Sequence, residues 1–225
     1  MCIELNILCI CTLITERRKM TTPIKIVITG GPCAGKTSII ERLKVDFDGI
    51  ASFVPESATI LLEGGYPAPP EDSAKRETWL SELQAVVGTL QLQLEAMVLR
   101  NAVSADHSLI ILDRSLGDLP AYHPRGYEAV MHQLKAHDIT TLRDRYHHIL
   151  HLHSLANMRA ELYGKVGNAS RYETREQAVK IDRRIRGSNE WLAMNGFYDV
   201  LPRANFEQKY LEVKNIIVQS LATVS

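Results

Sequence analysis

The sequence predicts an α/β fold: a three-layer, doubly wound, parallel five-stranded sheet. Three observations predict it. Short β-branched and aliphatic runs alternate with longer segments of helical periodicity. The first run, residues 24–29 (IKIVIT), stops at a glycine-rich turn that opens a helical segment. Five runs of strand character occur in 225 residues, a length that suits one such domain.

In chain order, the first strand leads into a helix over 36–45, and a short second strand covers 50–54 (IASFV). A helical turn or two follows over 59–63, and residues 64–72, rich in Gly and Pro, read as a loop. A long helix spans 73–101, where Leu83, Val86, Leu90, Leu94 and Met97 recur at helical spacing. Residues 108–112 (SLIIL) form a buried third strand ending at Asp113. Residues 116–127 read as irregular, with short helices after them to about 145. A fourth strand at 148–152, a helix at 155–163, a small-residue break at 164–170 and a helix at 173–195 come next. A fifth strand at 198–201 and a closing helix at 206–221 complete the domain. Ligands of such sheets bind at the carboxyl ends of the strands.

Hydrophobic residues make up 45% of the chain and charged residues 23%, ordinary values for a globular protein. Lys plus Arg and Asp plus Glu number 26 each, so no whole-chain field favours nucleic acid, and no nucleic-acid partner is expected. Cys2, Cys9, Cys11 and Cys33 contain no C-x-x-C pair. That argues against a disulfide framework and for a reducing, cytoplasmic setting. Residues 1–22 are expected to be a leader, disordered or lying upstream of a start at Met20; a membrane-associating tail is the second reading. Their apolar stretch is interrupted by Glu4 and Asn6, and the basic run Arg17, Arg18, Lys19 follows it, the reverse of a secretory signal. No segment is apolar over the roughly 20 residues that a membrane span needs. Residues 23–225 are expected to form one domain with a lid segment at about 164–186.

Gly30, Gly31, Pro32, Cys33, Ala34, Gly35, Lys36 and Thr37 satisfy G-x-x-x-x-G-K-[ST], the phosphate-binding P-loop. Glycines let successive backbone N–H groups point inward at an anion, and the new helix presents its positive end to the same place. Lys36 is expected on the β- and γ-phosphates of ATP or GTP, Thr37 on Mg²⁺, and Ser38 in the same binding set. Asp113 ends an apolar strand, where P-loop proteins keep an acid for the Mg²⁺ shell; the plain alternative is a carboxylate capping a buried strand. Arg114 beside it can hold phosphate with two parallel hydrogen bonds. Asp113-Arg114-Ser115 resembles the strand-end motif of deoxynucleoside and other small-molecule kinases, where the arginine meets phosphate oxygens or the catalytic carboxylate. Glu56 ends the second strand, where a carboxylate can accept a proton from a hydroxyl attacking the γ-phosphate, or simply cap the next helix.

Taken together, these blocks resemble the NadR/translocation-defect type of P-loop ATPase domain, whose members include the ribosylnicotinamide kinase domain of a bacterial NAD regulator. The resemblance runs from Lys25 to Leu221. It rests on ITGGPCAGKT at 28–37, Val54-Pro55-Glu56-Ser57-Ala58-Thr59, and Leu61-Leu62-Glu63-Gly64-Gly65-Tyr66-Pro67. Gln91 with Glu95, Asp113 to Ser115 with Asp118, Ala121 and Tyr122, and Asn168, Arg171, Glu173 and Ala178 add to it. The resemblance implies a P-loop NTPase fold of the nucleoside and nucleotide kinase type, a catalytic or substrate-binding role for Glu56, and lid arginines at Arg171 and Arg175. It implies no ring-forming motor, because the chain lacks room for the extra helical domain. Two departures stand out: the fourth strand is rich in histidine, and the last helix has Gln208 and Lys209 where the family often has arginine.

The histidines His147, His151 and His153 share one strand face, but no cysteine or carboxylate lies close in sequence to complete a zinc site. His147 and His148 belong at an exposed strand start, and His153 near the active edge. Arg183, Arg184 and Arg186 read as a solvated helix face with acids such as Asp182 interspersed. Trp79 and Trp191 read as core or substrate-wall residues. The expected activity is a small-molecule kinase: Lys36 and Arg114 neutralise the transferring phosphoryl group, and Glu56 or Asp113 orients a nucleoside-like acceptor near Glu63, Gln91, Asp118 and Tyr122. The alternative is a nucleotide-gated module or slow NTPase with a protein or phosphoinositide partner. No Asn-Lys-x-Asp motif is present, which disfavours a conventional GTPase switch but leaves GTP binding open.

Overall fold

A computed structural model describes residues 22–134, 145–154, 174–192, 196–203 and 205–224. Residues 1–21 of the expected leader, the helix at 155–163 and the break at 164–170 lie outside the described residues. β1 (Ile24–Thr29) is followed by α1 (Lys36–Asp46), β2 (Ala51–Val54), α2 (Ser57–Glu63) and the 32-residue α3 (Ser73–Ser104). β3 (Leu109–Asp113), a 3₁₀ turn (Leu116–Asp118), α4 (Leu119–Tyr122), α5 (Gly126–Gln133) and β4 (His148–Leu152) come next. α6 (Arg175–Leu192), β5 (Phe197–Val200) and α7 (Phe206–Val224) complete the order.

All five strands are parallel, in the order β2-β3-β1-β4-β5. β1 therefore sits at the centre with a neighbour on each side. Its odd and even positions feed two separate apolar layers, as a sheet covered on both faces requires. Ile24, Ile26 and Ile28 join Ile39 and Leu43 of α1 and Tyr210, Val213 and Ile217 of α7. Val27 joins Ile110 and Leu112 of β3, Leu83 and Val98 of α3, and Leu119 of α4. Each fully buried aliphatic side chain contributes about 1.5–3 kcal/mol to this core.

The differences from the expected elements have local causes. β5 starts and stops one residue earlier than expected, because Val200 is buried against β4 while Leu201 is 49% exposed. α2 begins at Ser57, whose side chain is held by Gln91 of α3. The segment read as irregular contains the 3₁₀ turn and α4, each too short to show a period. On α3 the helix is as expected but the buried face is not. Val86 and Met97 are exposed, while Gln84, Val87, Gly88, Gln91, Glu95 and Val98 are buried. The inward face carries polar residues, so the apolar stripe lies about one residue off the true contact line.

α3 is capped by Asp72, whose side chain accepts from the Lys75 N–H at 2.9 Å. Trp79 on its first turns packs edge-on against Tyr66 (ring centroids 6.0 Å apart) and donates its indole N–H to Pro67 O at 2.8 Å. This pins the loop before α3 to the helix. Among the described residues, no helix is long and apolar enough to cross a membrane.

Candidate nucleotide site

The strand register brings the chemistry-bearing residues to one edge. Ile28 pairs with Asp113, Val54 with Leu112, and Thr29 with His151, so the glycine-rich loop, Asp113 and Glu56 all leave the sheet at its carboxyl end. The loop connects β1 to α1, and Gly35 caps the new helix. Gly30 has φ +141°, and a Cβ there would sit 2.2 Å from Leu152 O, so no other residue fits between loop and β4. Cys33 takes a left-handed φ of 61°. Lys36 is buried at 8% exposure and folds back over the loop, donating from Nζ to Gly30 O at 3.0 Å and Gly31 O at 3.2 Å. Gly35, Thr37 and Ser38 are exposed at the mouth.

The back of the loop is held from three sides. Asp182 of α6 accepts the Gly31 N–H at 2.6 Å. Ser154, after β4, donates to Pro32 O. Lys209 of α7 donates to Ala34 O at 2.9 Å and to His153 O at 3.1 Å.

Arg114 is the hub in front. It leaves β3 with φ 73°, a left-handed conformation costing a side-chain-bearing residue about 1–3 kcal/mol. The turn is held by its own N–H, which donates to Ile28 O at 3.0 Å. Its guanidinium donates to Glu56 Oε1, to Asp118 Oδ2 at 3.1 Å and to Gly30 O at 3.3 Å, and lies 5.5 Å from the centre of the Tyr122 ring. Arg114 thus meets the carboxylate at the end of β2. Glu56 also accepts from Thr59 Oγ1 at 2.8 Å.

These neighbours set the charges. Burial favours the neutral acid at Glu56, but the charges of Arg114 and Lys36 outweigh it and hold the carboxyl at about 2. Burial, and then the negative charge of Glu56, pushes Asp113 up to about 6. Burial, and then the like charge of Arg114, pushes the Lys36 ammonium down to about 8. Asp113 Oδ1 is buried without a hydrogen bond. A carboxylate oxygen left in that state, at the sheet edge from which the phosphate loop and its exposed Thr37 also leave, suits a hard cation, so the residues present fit Mg²⁺.

The other expected residues fall in different places. Asp118 is buried: Oδ2 accepts from Thr29 Oγ1 at 2.6 Å as well as Arg114, and Oδ1 accepts from Asn189 Nδ2 at 2.8 Å and Ser115 Oγ at 3.3 Å. Gln91 is buried too, accepting from Ser57 Oγ at 2.6 Å and donating to Glu95 Oε1 at 3.2 Å. Both side chains are therefore engaged in hydrogen bonds within the protein. Glu63 is exposed at the end of α2. Arg171 lies outside the described residues, and Arg175 is placed only as the first residue of α6.

Asp182 is not on a solvated face, as expected, but buried at 2% exposure. The signal was available: Ala178, Asp182, Ile185 and Asn189 recur at spacings of four, three and four, one inward helical stripe. His147 is exposed, and its Nδ1 accepts the Lys25 N–H at 3.0 Å.

The AAA domain model AAA_28 matches residues 25–209. The chain belongs to this AAA domain family. The match covers four strands whole, β1 but for Ile24, and the whole loop-and-carboxylate edge just described. Among curated proteins none matches the chain. As an AAA_28 domain, the protein is a P-loop nucleotide-binding domain of the NTPase type.

Proposed function

We propose that the protein is a small-molecule kinase, transferring the γ-phosphoryl group of ATP to a hydroxyl of a nucleoside-like acceptor. The observation that carries this reading is the tie between Glu56 and the phosphate loop. One guanidinium, Arg114, holds the Glu56 carboxylate and the loop carbonyl of Gly30 together. An ionised acid fixed beside the phosphate cradle can aim an attacking hydroxyl at the γ-phosphate.

The loop N–H groups and Lys36 bind the phosphates of the nucleotide, with GTP the second candidate. Lys36 exchanges its two loop carbonyls for phosphate oxygens. Thr37 and Asp113 would hold Mg²⁺, which supplies positive charge against the oxygens of the phosphates. Glu56 accepts the hydrogen bond of the acceptor hydroxyl and aims it. A carboxyl held at about 2 is a weak base, which suits a loose transition state in which the hydroxyl keeps its proton until late. Asp118 and Gln91 position this machinery, Asp118 through Arg114 and Gln91 through Ser57. Arg171 and Arg175 are the lid arginines of this reading.

The test is ADP release from Mg-ATP and Mg-GTP with a panel of nucleosides, nicotinamide riboside included. Acceptor-stimulated release is expected, falling about 10²–10³-fold in Lys36→Ala, on the scale of losing one phosphate-stabilising donor. Tight nucleotide binding with slow, acceptor-independent hydrolysis would replace the kinase with a nucleotide-gated module whose partner is a protein or phosphoinositide.

A further inference from the structure

Behind the phosphate loop, β4 and β5 bring together side chains that phosphoryl transfer does not use. His151 of β4 pairs in register with Asp199 of β5, and His153 lies just past the end of β4. His151 is fully buried, and neither ring nitrogen makes a hydrogen bond. Its Nε2 lies 3.4 Å from Asp182 Oδ1. His153 Nε2 and Asp199 Oδ1 share a hydrogen bond of 2.6 Å. The two imidazoles stand edge-on, centroids 5.3 Å apart. One donor atom from each of His151, His153 and Asp199 lies within 4.8 Å of the other two.

A buried imidazole with both nitrogens unsatisfied is unfavourable unless something coordinates it. We propose that His151, His153 and Asp199 form a binding site for a divalent transition-metal ion of the zinc class, with Asp182 beside it as the fourth donor. Two imidazole nitrogens and carboxylate oxygens suit a borderline ion such as Zn²⁺. Mg²⁺ takes oxygen donors, so this site is chemically separate from Thr37 and Asp113. Tetrahedral bonds of about 2.0–2.2 Å place donors roughly 3.3 Å apart, so small side-chain rotations close the set. Arg186 holds Asp199 Oδ2 from Nε at 2.9 Å and Nη2 at 2.8 Å. That leaves Oδ1 facing the imidazoles, the arrangement of an outer partner orienting a ligand. On binding, the ion takes the place of the proton shared by His153 and Asp199, and that proton passes to solvent. The ion ties the ends of β4 and β5 to α6, at the acid that holds Gly31.

The test uses the full chain, stripped with EDTA. Zn²⁺ is titrated against a chromophoric chelator, and Co²⁺ is followed by visible absorption. One ion per chain is expected, with the d–d bands of a four-coordinate nitrogen–oxygen site and no thiolate charge-transfer band from the cysteines. His153→Ala and Asp199→Asn alter partly exposed side chains and spare the buried His151. Each is expected to weaken Zn²⁺ binding by about 100-fold or more, at or beyond the range for losing an outer-shell partner. His147→Ala is expected to bind as the parent does. Zn²⁺ should also raise the melting midpoint of the parent but not of His153→Ala. Unchanged binding in both ligand variants, a thiolate band with Co²⁺, or no binding at micromolar Zn²⁺ each overturns the site.

Discussion

Glu56 illustrates how much one residue's surroundings decide. Its carboxyl is held at about 2 in the folded protein, below its ordinary value of 4.5, by Arg114 and Lys36 acting against burial. A depressed carboxyl contributes stability that is complete above the unfolded value and lost as pH falls through the folded one. The urea midpoint of the parent should therefore differ from that of Glu56→Gln by a constant amount above about pH 5. The difference should shrink as pH falls from 4.5 towards 2. A difference that stays constant to pH 2 means that the ion pair with Arg114 does not form. The same variant is expected to lose about 10²–10⁴-fold in turnover, since it keeps the shape but not the charge that aims the acceptor.

At the scale of elements, α3 is the case to study. Its inward face runs a polar chain: Ser57 to Gln91, Gln91 to Glu95, and Glu95 to Tyr146 OH at 2.9 Å and Arg145 Nε at 2.6 Å. The chain links the start of α2, next to Glu56, to the segment entering β4. Glu95→Ala strands the Arg145 cation and the buried Tyr146 hydroxyl, and is expected to cost about 3–5 kcal/mol in chemical denaturation. A loss under about 1 kcal/mol would show the chain to be dispensable. This face was illegible in the sequence because apolar periodicity finds helices by what they bury, and this helix buries Gln and Glu. The helix itself was legible, since Leu83 and its successors keep the period even when displaced from the contact line. α6 repeats the lesson: Asp182 and Asn189 look like surface residues among arginines until the sheet places them against the loop and Asp118.

For the whole molecule, what is contiguous in the chain was readable and what is assembled from afar was not. The cradle, Asp113 and the five strands each announce themselves within a few residues, since local geometry alone dictates them. Asp199 meets His153 across 46 residues of sequence, so the missing carboxylate of the histidine group could not be seen from its neighbours. The strand order makes β1 the innermost strand, with its loop anchored by Ser154 after β4 and by residues from α6 and α7. Ligand binding there should stabilise the molecule as a whole. Nucleotide at 100 times its Kd is expected to add about 2.7 kcal/mol to global unfolding, and to add almost nothing in Lys36→Ala. Equal stabilisation of both proteins would place the nucleotide elsewhere.

The amine of Lys209 reaches the carbonyl of Ala34 across 175 residues of chain. At the usual pace of ribosomal synthesis, about 5–20 residues per second, roughly 10–35 s separate the making of the loop from the making of the lysine that braces it. The nascent chain carries the entire phosphate motif during that interval without its Lys209 brace, with Ser154 and Asp182 arriving on the way. A chain halted before α7 thus carries the full phosphate signature with its Lys209 brace still missing.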